Sequence, residues 1–207
     1  MCSWYHGLVS RDQQIRTVCV YCASSERTPA VYHDAATRLG RALARNGRGI
    51  VYGGGAIGSM GRLANAALAN GGRVVGILPR FMDELEWGHR GLSELRIAAD
   101  IHERKRLMLE MSDAVVALPG GCGTLEELFE AITWKRLGLY LKPIVLVNID
   151  GFFDPCLELL ARCIADRFMD ERHAAMWSVV SEPEAVLDAL TSAPEWSAAT
   201  RNFAVQK

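Results

Sequence analysis

The chain has 207 residues, a formal net charge of −1 at pH 7 and 50% hydrophobic residues. This composition excludes a disordered chain and provides no overall positive field for nucleic acid. No apolar run reaches the ~20 residues needed to cross a bilayer, and the N-terminus lacks the basic start and apolar stretch of a secretion signal. We therefore expect a cytoplasmic protein of one domain, with no membrane or nucleic-acid partner.

Apolar runs alternate with amphipathic stretches from residue 17 onward. Most of the runs are continuously apolar, as in strands that are covered on both faces. They are Thr17–Cys22, Gly49–Tyr52, Arg73–Leu78, Ala114–Leu118, Ile144–Ile149 and Trp177–Val180. The predicted helices are Pro29–Arg45, Gly58–Asn70, Ile101–Met111, Thr124–Leu137, Asp154–Phe168 and Glu182–Leu190. The alternation predicts a Rossmann-like, doubly wound α/β fold, with a mainly parallel sheet and helices on both faces.

The two ends of the chain lie outside this alternation. Residues 1–16 are interpreted as an N-terminal arm, 17–191 as the Rossmann-like domain and 192–207 as a C-terminal tail that packs on a partner subunit.

Cys19 and Cys22 form a C-x-x-C pair inside the first predicted strand. Residues three apart on a strand point to opposite faces, so core packing is favoured over a redox pair.

The turn after Tyr52 is rich in glycine. Gly53, Gly55 and Gly58 match G-x-G-x-x-G, and a predicted helix follows, so backbone amides can approach an anion. Three interpretations stay open: contact with a phosphate, tight packing of helix on strand, or binding of NAD. The acid that holds the ribose of NAD is missing, because the next strand ends in Leu78-Pro79-Arg80.

A second glycine turn, starting at Pro119, precedes the helix predicted from Thr124. Thr124 is placed to cap this helix, and Glu126 and Glu127 fall in its first turn, where the helix dipole favours a carboxylate. An acid repels phosphate, so the pattern suggests two subsites in one pocket. The alternative is a capping box, in which the acid is solvated and has no role in binding. For Glu126 the two interpretations are equally well supported.

Arg104 lies on an otherwise apolar helical face. Its neighbours at helical spacing are Ile101, Leu107, Met108 and Met111. A buried guanidinium requires an acid or a phosphate as its partner. Either a ligand or a structural ion pair with Glu127 or another acid satisfies this requirement.

These motifs together resemble the Lonely-Guy family, the cytokinin riboside 5′-monophosphate phosphoribohydrolases. Residues Pro119 to Glu127 match the family signature P-G-G-x-G-T-x-x-E, and His102-Glu103-Arg104-Lys105 with Met108 matches the second signature. The segments VCVYCASS, GGGAIGSMG and ILPRFM are also similar to the family, and the resemblance covers roughly residues 17 to 190. Cys122 and Ile101 are mild departures from the family pattern.

The resemblance implies a homodimeric enzyme that cleaves the N-glycosidic bond of a nucleoside 5′-monophosphate, releasing a free base and ribose 5-phosphate without a metal or other cofactor. Arg104 and Glu127 take the two catalytic positions. The substrate-contacting positions are Ser24, Gly54, Gly55, Glu86, Lys105, Gly120, Gly121, Cys122, Gly123, Thr124, Leu125 and Glu126. The family has been labelled lysine decarboxylase, but no lysine here lies in a recognisable pyridoxal-phosphate setting.

The residues suit this reaction, because the sugar gains positive charge as the bond to the base breaks. An ionised Glu127 near C1′ stabilises that charge or positions the attacking water, and amides of the glycine turns hold the phosphate. The base is either N6-prenylated or plain adenine. A non-catalytic carrier of a nucleotide or nucleotide-like cofactor is the alternative function.

Overall fold

The protein is described by a computed structural model covering residues 15–85 and 87–204. Seven parallel strands form one sheet in the order β4-β3-β2-β1-β5-β6-β7. The strands are β1 (Thr17–Tyr21), β2 (Gly49–Tyr52), β3 (Val74–Pro79), β4 (Glu94–Ala98), β5 (Ala114–Ala117), β6 (Ile144–Val147) and β7 (Ser178–Val180). This architecture confirms the predicted doubly wound α/β fold.

Seven α-helices are found in the described part of the chain. They are α1 (Ala30–Arg45), α2 (Gly58–Ala69), α3 (Arg80–Glu84), α4 (Ile101–Glu110), α5 (Cys122–Arg136), α6 (Asp154–Ala165) and α7 (Val186–Ser192). No helix within residues 15–85 and 87–204 has the length and apolar character needed to cross a membrane. Most of the predicted N-terminal arm and Glu86 lie outside the described residues.

Strand β4 and helix α3 were not predicted from the sequence. Strand β4 is at the edge of the sheet, and its residues Glu94 and Arg96 form an ion pair on the surface. Charged residues are common on edge strands, where they discourage pairing with another chain. Strand β4 therefore lacks the continuous apolar run of the buried strands because it lies at the edge of the sheet.

The central strand β1 separates two hydrophobic cores. Val18 and Val20 belong to the core on one face of the sheet, and Cys19 and Tyr21 belong to the core on the other. Cys22 packs with the first core, so Cys19 and Cys22 lie on opposite faces, as their spacing predicts. Burial raises the pKa of both thiols, which is consistent with packing residues.

The C-terminal segment through residue 204 packs against its own chain. The Trp196 indole donates a hydrogen bond to the Lys135 carbonyl at 3.1 Å, and the Thr200 hydroxyl donates to the Arg136 carbonyl at 3.0 Å. Arg136 in turn donates to the Ala204 carbonyl at 2.8 Å. These bonds attach the segment to the end of α5, and the expected contact with a partner subunit stays a prediction.

Candidate active site

A cavity of about 570 Å³ opens at the carboxyl ends of β1, β2 and β5. Strand β1 lies between the other two, so the chain winds outward from it in both directions at this point. Ligands of doubly wound folds bind at such a reversal, because the loops on either side diverge and leave a crevice. The lining residues are Cys22, Ala23, Ser24, Ser25, Gly53, Gly55, Ala56, Ile57, Met60, Leu78, Met82, Trp87, Arg104, Gly121, Gly123, Thr124 and Glu127.

An ion pair forms the polar wall of the cavity. Nη1 of Arg104, on α4, lies 2.7 Å from Oε1 of Glu127, on α5. Arg104 is 8% exposed and Glu127 is 4% exposed, so little water screens the pair. The Arg104 Nε–H also donates to the carbonyl of Ile77 at 3.1 Å, which anchors the guanidinium to β3. The cavity thus contains a buried carboxylate and a cation held in fixed geometry.

The protonation of Glu127 depends on two opposing effects. Burial raises the pKa of the Glu127 carboxyl above its ordinary value of 4.5, while the positive charge of Arg104 acts to lower it. Burial is the larger effect. A carboxylate in this setting is a stronger base than a solvated glutamate and interacts strongly with any positive charge that forms beside it.

The N-terminus of α5 borders the same cavity through Gly121, Gly123 and Thr124. The helix begins at Cys122 with Gly121 as its N-cap residue, and no side chain caps it. Thr124 therefore lies within the first turn and is not the cap that the sequence suggested. The Leu125 N–H donates to the Gly121 carbonyl at 3.0 Å, and intrahelical bonds do not use the N–H groups that precede it. Such groups, together with the helix dipole, bind anions.

The glycine turn after β2 has a different role for part of its backbone. The Ala56 N–H donates to the Trp87 carbonyl at 3.2 Å, and the Gly54 carbonyl accepts from the His89 N–H at 2.9 Å. The Tyr52 hydroxyl donates to the Gly55 carbonyl at 3.0 Å. The first two bonds attach the segment after α3 to the turn, and the third stabilises the turn itself; Gly55, Ala56 and Trp87 all line the cavity.

Apolar side chains form much of the rest of the cavity wall. Ile57, Met60, Leu78, Met82 and Trp87 contribute to it. Four of the five residues belong to the GGGAIGSMG and ILPRFM segments quoted above, but none was predicted to line the site. The apolar stretch Ile77 to Met82 was the available signal, but nothing in its spacing indicated that it turns toward the glycine-rich loop.

The chain is similar to known proteins over most of its length. Residues 60–190 match the family described as "possible lysine decarboxylase". The chain is 42% identical to the cytokinin riboside 5′-monophosphate phosphoribohydrolase LOG of Oryza sativa subsp. japonica, over 84% of this chain and 72% of that protein. It is 40% identical to the cytokinin riboside 5′-monophosphate phosphoribohydrolase of Rhodococcoides fascians, over 86% of this chain and 90% of that protein.

The chain belongs to the Lonely-Guy family.

Solved structures support the fold independently of the site. The molybdenum cofactor binding protein of Rippkaea orientalis superposes with a TM-score of 0.68 and 23% identity, covering 86% of this chain and 96% of that one. At this identity the likeness concerns the fold alone. The Lonely-Guy chain thus shares its fold with a protein that is named for binding a different ligand from the substrates of its sequence relatives.

The cavity brings together seven of the residues that the Lonely-Guy motifs indicated. They are Ser24, Gly55, Arg104, Gly121, Gly123, Thr124 and Glu127. Gly54, Lys105, Gly120, Cys122, Leu125 and Glu126 are outside the cavity lining, and Glu86 is outside the described residues. The two glycine turns therefore open onto one pocket, with Arg104 and Glu127 on the same side of it.

Lys105 lies next to Arg104 in sequence but has different partners. Its ammonium group forms ion pairs with Glu126 and, at 3.3 Å, with Glu130. Burial disfavours its charge, but the hydrogen bonds to these two carboxylates outweigh burial and raise the pKa of Lys105. In this structure the lysine joins α4 to α5 beside the cavity.

Proposed function

We propose that this protein hydrolyses the N-glycosidic bond of an N6-modified adenosine 5′-monophosphate, giving a free base and ribose 5-phosphate. The observation that carries the proposal is the buried Glu127–Arg104 pair in a cavity that also contains the N-terminus of a helix. The names of the rice and Rhodococcoides relatives support the same reaction.

The N-terminus of α5 is the natural place for the 5′-phosphate. Gly121, Gly123 and Thr124 line the cavity there, and the first-turn N–H groups are directed out of the helix. Binding the phosphate at this end holds the sugar within the cavity, so that its C1′ is presented to Glu127 at high effective concentration.

Glu127 acts on the sugar carbon. As the bond between C1′ and the base nitrogen breaks, the sugar gains positive charge, which a carboxylate in a dry site stabilises. The electron pair of the broken bond leaves with the base, the hydroxyl group of water bonds to C1′, and the remaining proton of that water ends on the base nitrogen. Arg104 holds the carboxylate in orientation and favours its charged form.

The apolar wall favours a base that carries a hydrocarbon substituent. Met82 and Trp87 line the same cavity as the ion pair, and an N6-prenyl group placed against them removes apolar surface from water. Plain adenine leaves that surface uncovered. We therefore expect N6-isopentenyl-AMP to have the higher kcat/KM and AMP the lower.

The test uses Glu127→Gln, which keeps the shape of the side chain and removes its charge. We expect release of base from N6-isopentenyl-AMP to fall by about 10³-fold while nucleotide binding is retained. The matched control is Glu158→Gln, an exposed glutamate of α6, which should have wild-type turnover. Binding without turnover in the wild type would instead indicate the alternative, a nucleotide carrier.

We further propose that the enzyme is a cytoplasmic homodimer that binds neither nucleic acid nor membrane. Leu137 and Leu139 support the dimer, because both follow α5 and are 41% and 61% exposed, respectively. A solvent-exposed pair of leucines is stabilised when a second chain covers it. Light scattering that gives the 22.8 kDa mass of a single chain would contradict this assembly.

A further inference from the structure

Gly53, directly after β2, is buried and lines the cavity. Its neighbour Gly54 has a φ of +78°, which favours glycine, but Gly53 is not in the left-handed region. The backbone conformation at Gly53 is therefore open to any residue. Its lack of a side chain needs another explanation.

Arg104 occupies the space that a side chain at Gly53 would fill. A Cβ built on Gly53 would lie 2.1 Å from Nη2 of Arg104 and 3.3 Å from its Cζ, and also 3.0 Å from Cε of Met60, so the guanidinium is the nearest group. Ordinary contacts of Cβ atoms begin near 3.4 Å. The methyl group of an alanine and the guanidinium in its present position are thus mutually exclusive.

The other nitrogens of Arg104 are already in use. Nε donates to the Ile77 carbonyl at 3.1 Å, and Nη1 contacts Glu127 at 2.7 Å. Because the guanidinium is planar and rigid, displacement of Nη2 moves both of the other nitrogens. Contact with Gly53 therefore affects the geometry of the Arg104–Glu127 pair.

We infer that Gly53 is a positioning residue for the reaction: it leaves the space in which the Arg104 guanidinium is held against Glu127. The inference rests on the proposed function, in which this pair acts on the sugar. Gly53 acts on the reaction through Arg104. It does so sterically, by having no side chain, rather than through a hydrogen bond or a charge.

Substitution of Gly53 by alanine should displace the guanidinium by about 1 Å. Arginine is long and flexible at its far end, so the fold accommodates this movement. A misplacement of about 1 Å at a reacting centre reduces turnover by roughly 10²-fold. We expect this loss in kcat, with little change in the affinity for ribose 5-phosphate, which binds at the N-terminus of α5.

The matched control is Gly49→Ala. Gly49 begins the same strand, and a Cβ there would meet its neighbours at 3.6 Å or more, an ordinary contact. This variant should keep wild-type kcat. Thermal unfolding of both variants separates loss of activity from loss of fold. Gly49→Ala should unfold within a few degrees of the wild type, whereas Gly53→Ala should unfold cooperatively at a lower Tm, because it weakens the buried Arg104–Glu127 pair.

Two further measurements distinguish positioning from a general structural role. First, moving Arg104 away raises the pKa of Glu127, so the acidic limb of kcat/KM should shift to higher pH in Gly53→Ala. Second, lysine has no Nη2, so adding Gly53→Ala to Arg104→Lys should change kcat by less than about 3-fold.

Wild-type kcat in Gly53→Ala, or a full 10²-fold loss in the Arg104→Lys background, would overturn the inference. If the wild type itself releases no base from N6-isopentenyl-AMP, the proposed function fails instead. A crystal structure of Gly53→Ala then decides the steric claim alone: a separated Arg104–Glu127 pair supports it, and an intact pair refutes it.

Discussion

Replacing Arg104 by methionine removes the partner of a buried carboxylate while preserving most of the side-chain volume. Breaking a buried ion pair in this way costs about 3 kcal/mol or more, because the remaining charge is left uncompensated. Glu127 is 4% exposed, so water relieves little of that cost. For a chain of this length the loss corresponds to a decrease in Tm of about 10 °C at pH 8.

The loss of unfolding free energy in Arg104→Met should depend on pH in a defined direction. Burial already raises the pKa of Glu127 in the folded protein, and removal of Arg104 raises it further. A group whose folded-state pKa is raised contributes stability that is present below its unfolded pKa and is lost as pH rises through the folded pKa. The deficit of Arg104→Met relative to wild type should therefore be small near pH 5 and grow toward pH 8, by at most about 1.4 kcal/mol per pH unit.

Unfolding in urea at several pH values between 5 and 8 measures this deficit. Arg106→Met is the matched control, since Arg106 is on the same helix but half exposed, and its loss should have little effect at any pH. Adding Glu127→Gln to Arg104→Met should abolish the pH-dependent part of the deficit in unfolding free energy. A deficit that is equal at pH 5 and pH 8 would refute the reasoning that Glu127 is the uncompensated charge.

Two other substitutions test neighbouring features. Lys105→Met removes the ion pairs to Glu126 and Glu130. We expect a lower Tm and a KM within about 3-fold of wild type. A large increase in KM would instead favour the substrate contact that the family motif suggests. Trp196→Ala removes the hydrogen bond to the Lys135 carbonyl and should destabilise the protein by about 2 kcal/mol without altering kcat. An unchanged Tm for this variant would show that the C-terminal segment contributes little to the fold.

Buried strands were predictable because their continuous apolar runs mark them directly. The predicted strands match the six most apolar strands closely, with ends that differ by up to two residues. One such difference is at Ile149, which the sequence placed in a strand and which begins a short 3₁₀ turn, where Asp150 has a φ of 50°. That turn depends on local backbone geometry, which hydrophobicity does not encode.

The site was predictable where its parts are glycine turns and charged residues on apolar faces. Arg104 was identified because a guanidinium on an apolar face requires a partner, and Glu127 is that partner. The apolar wall was not predictable, because Trp87 is held at the cavity by a loop pairing in which its carbonyl accepts a hydrogen bond from the Ala56 N–H. Pairing between distant loops leaves no periodic signal in the sequence.

The Arg104 environment has a consequence for how this enzyme loses activity. Its guanidinium contacts Gly53 after β2, Ile77 on β3 and Glu127 on α5, so three separate stretches of chain meet around one side chain. No fragment ending before α5 contains all three. Catalysis should therefore vanish together with the cooperative unfolding of the sheet, and any partly folded species that accumulates should be inert.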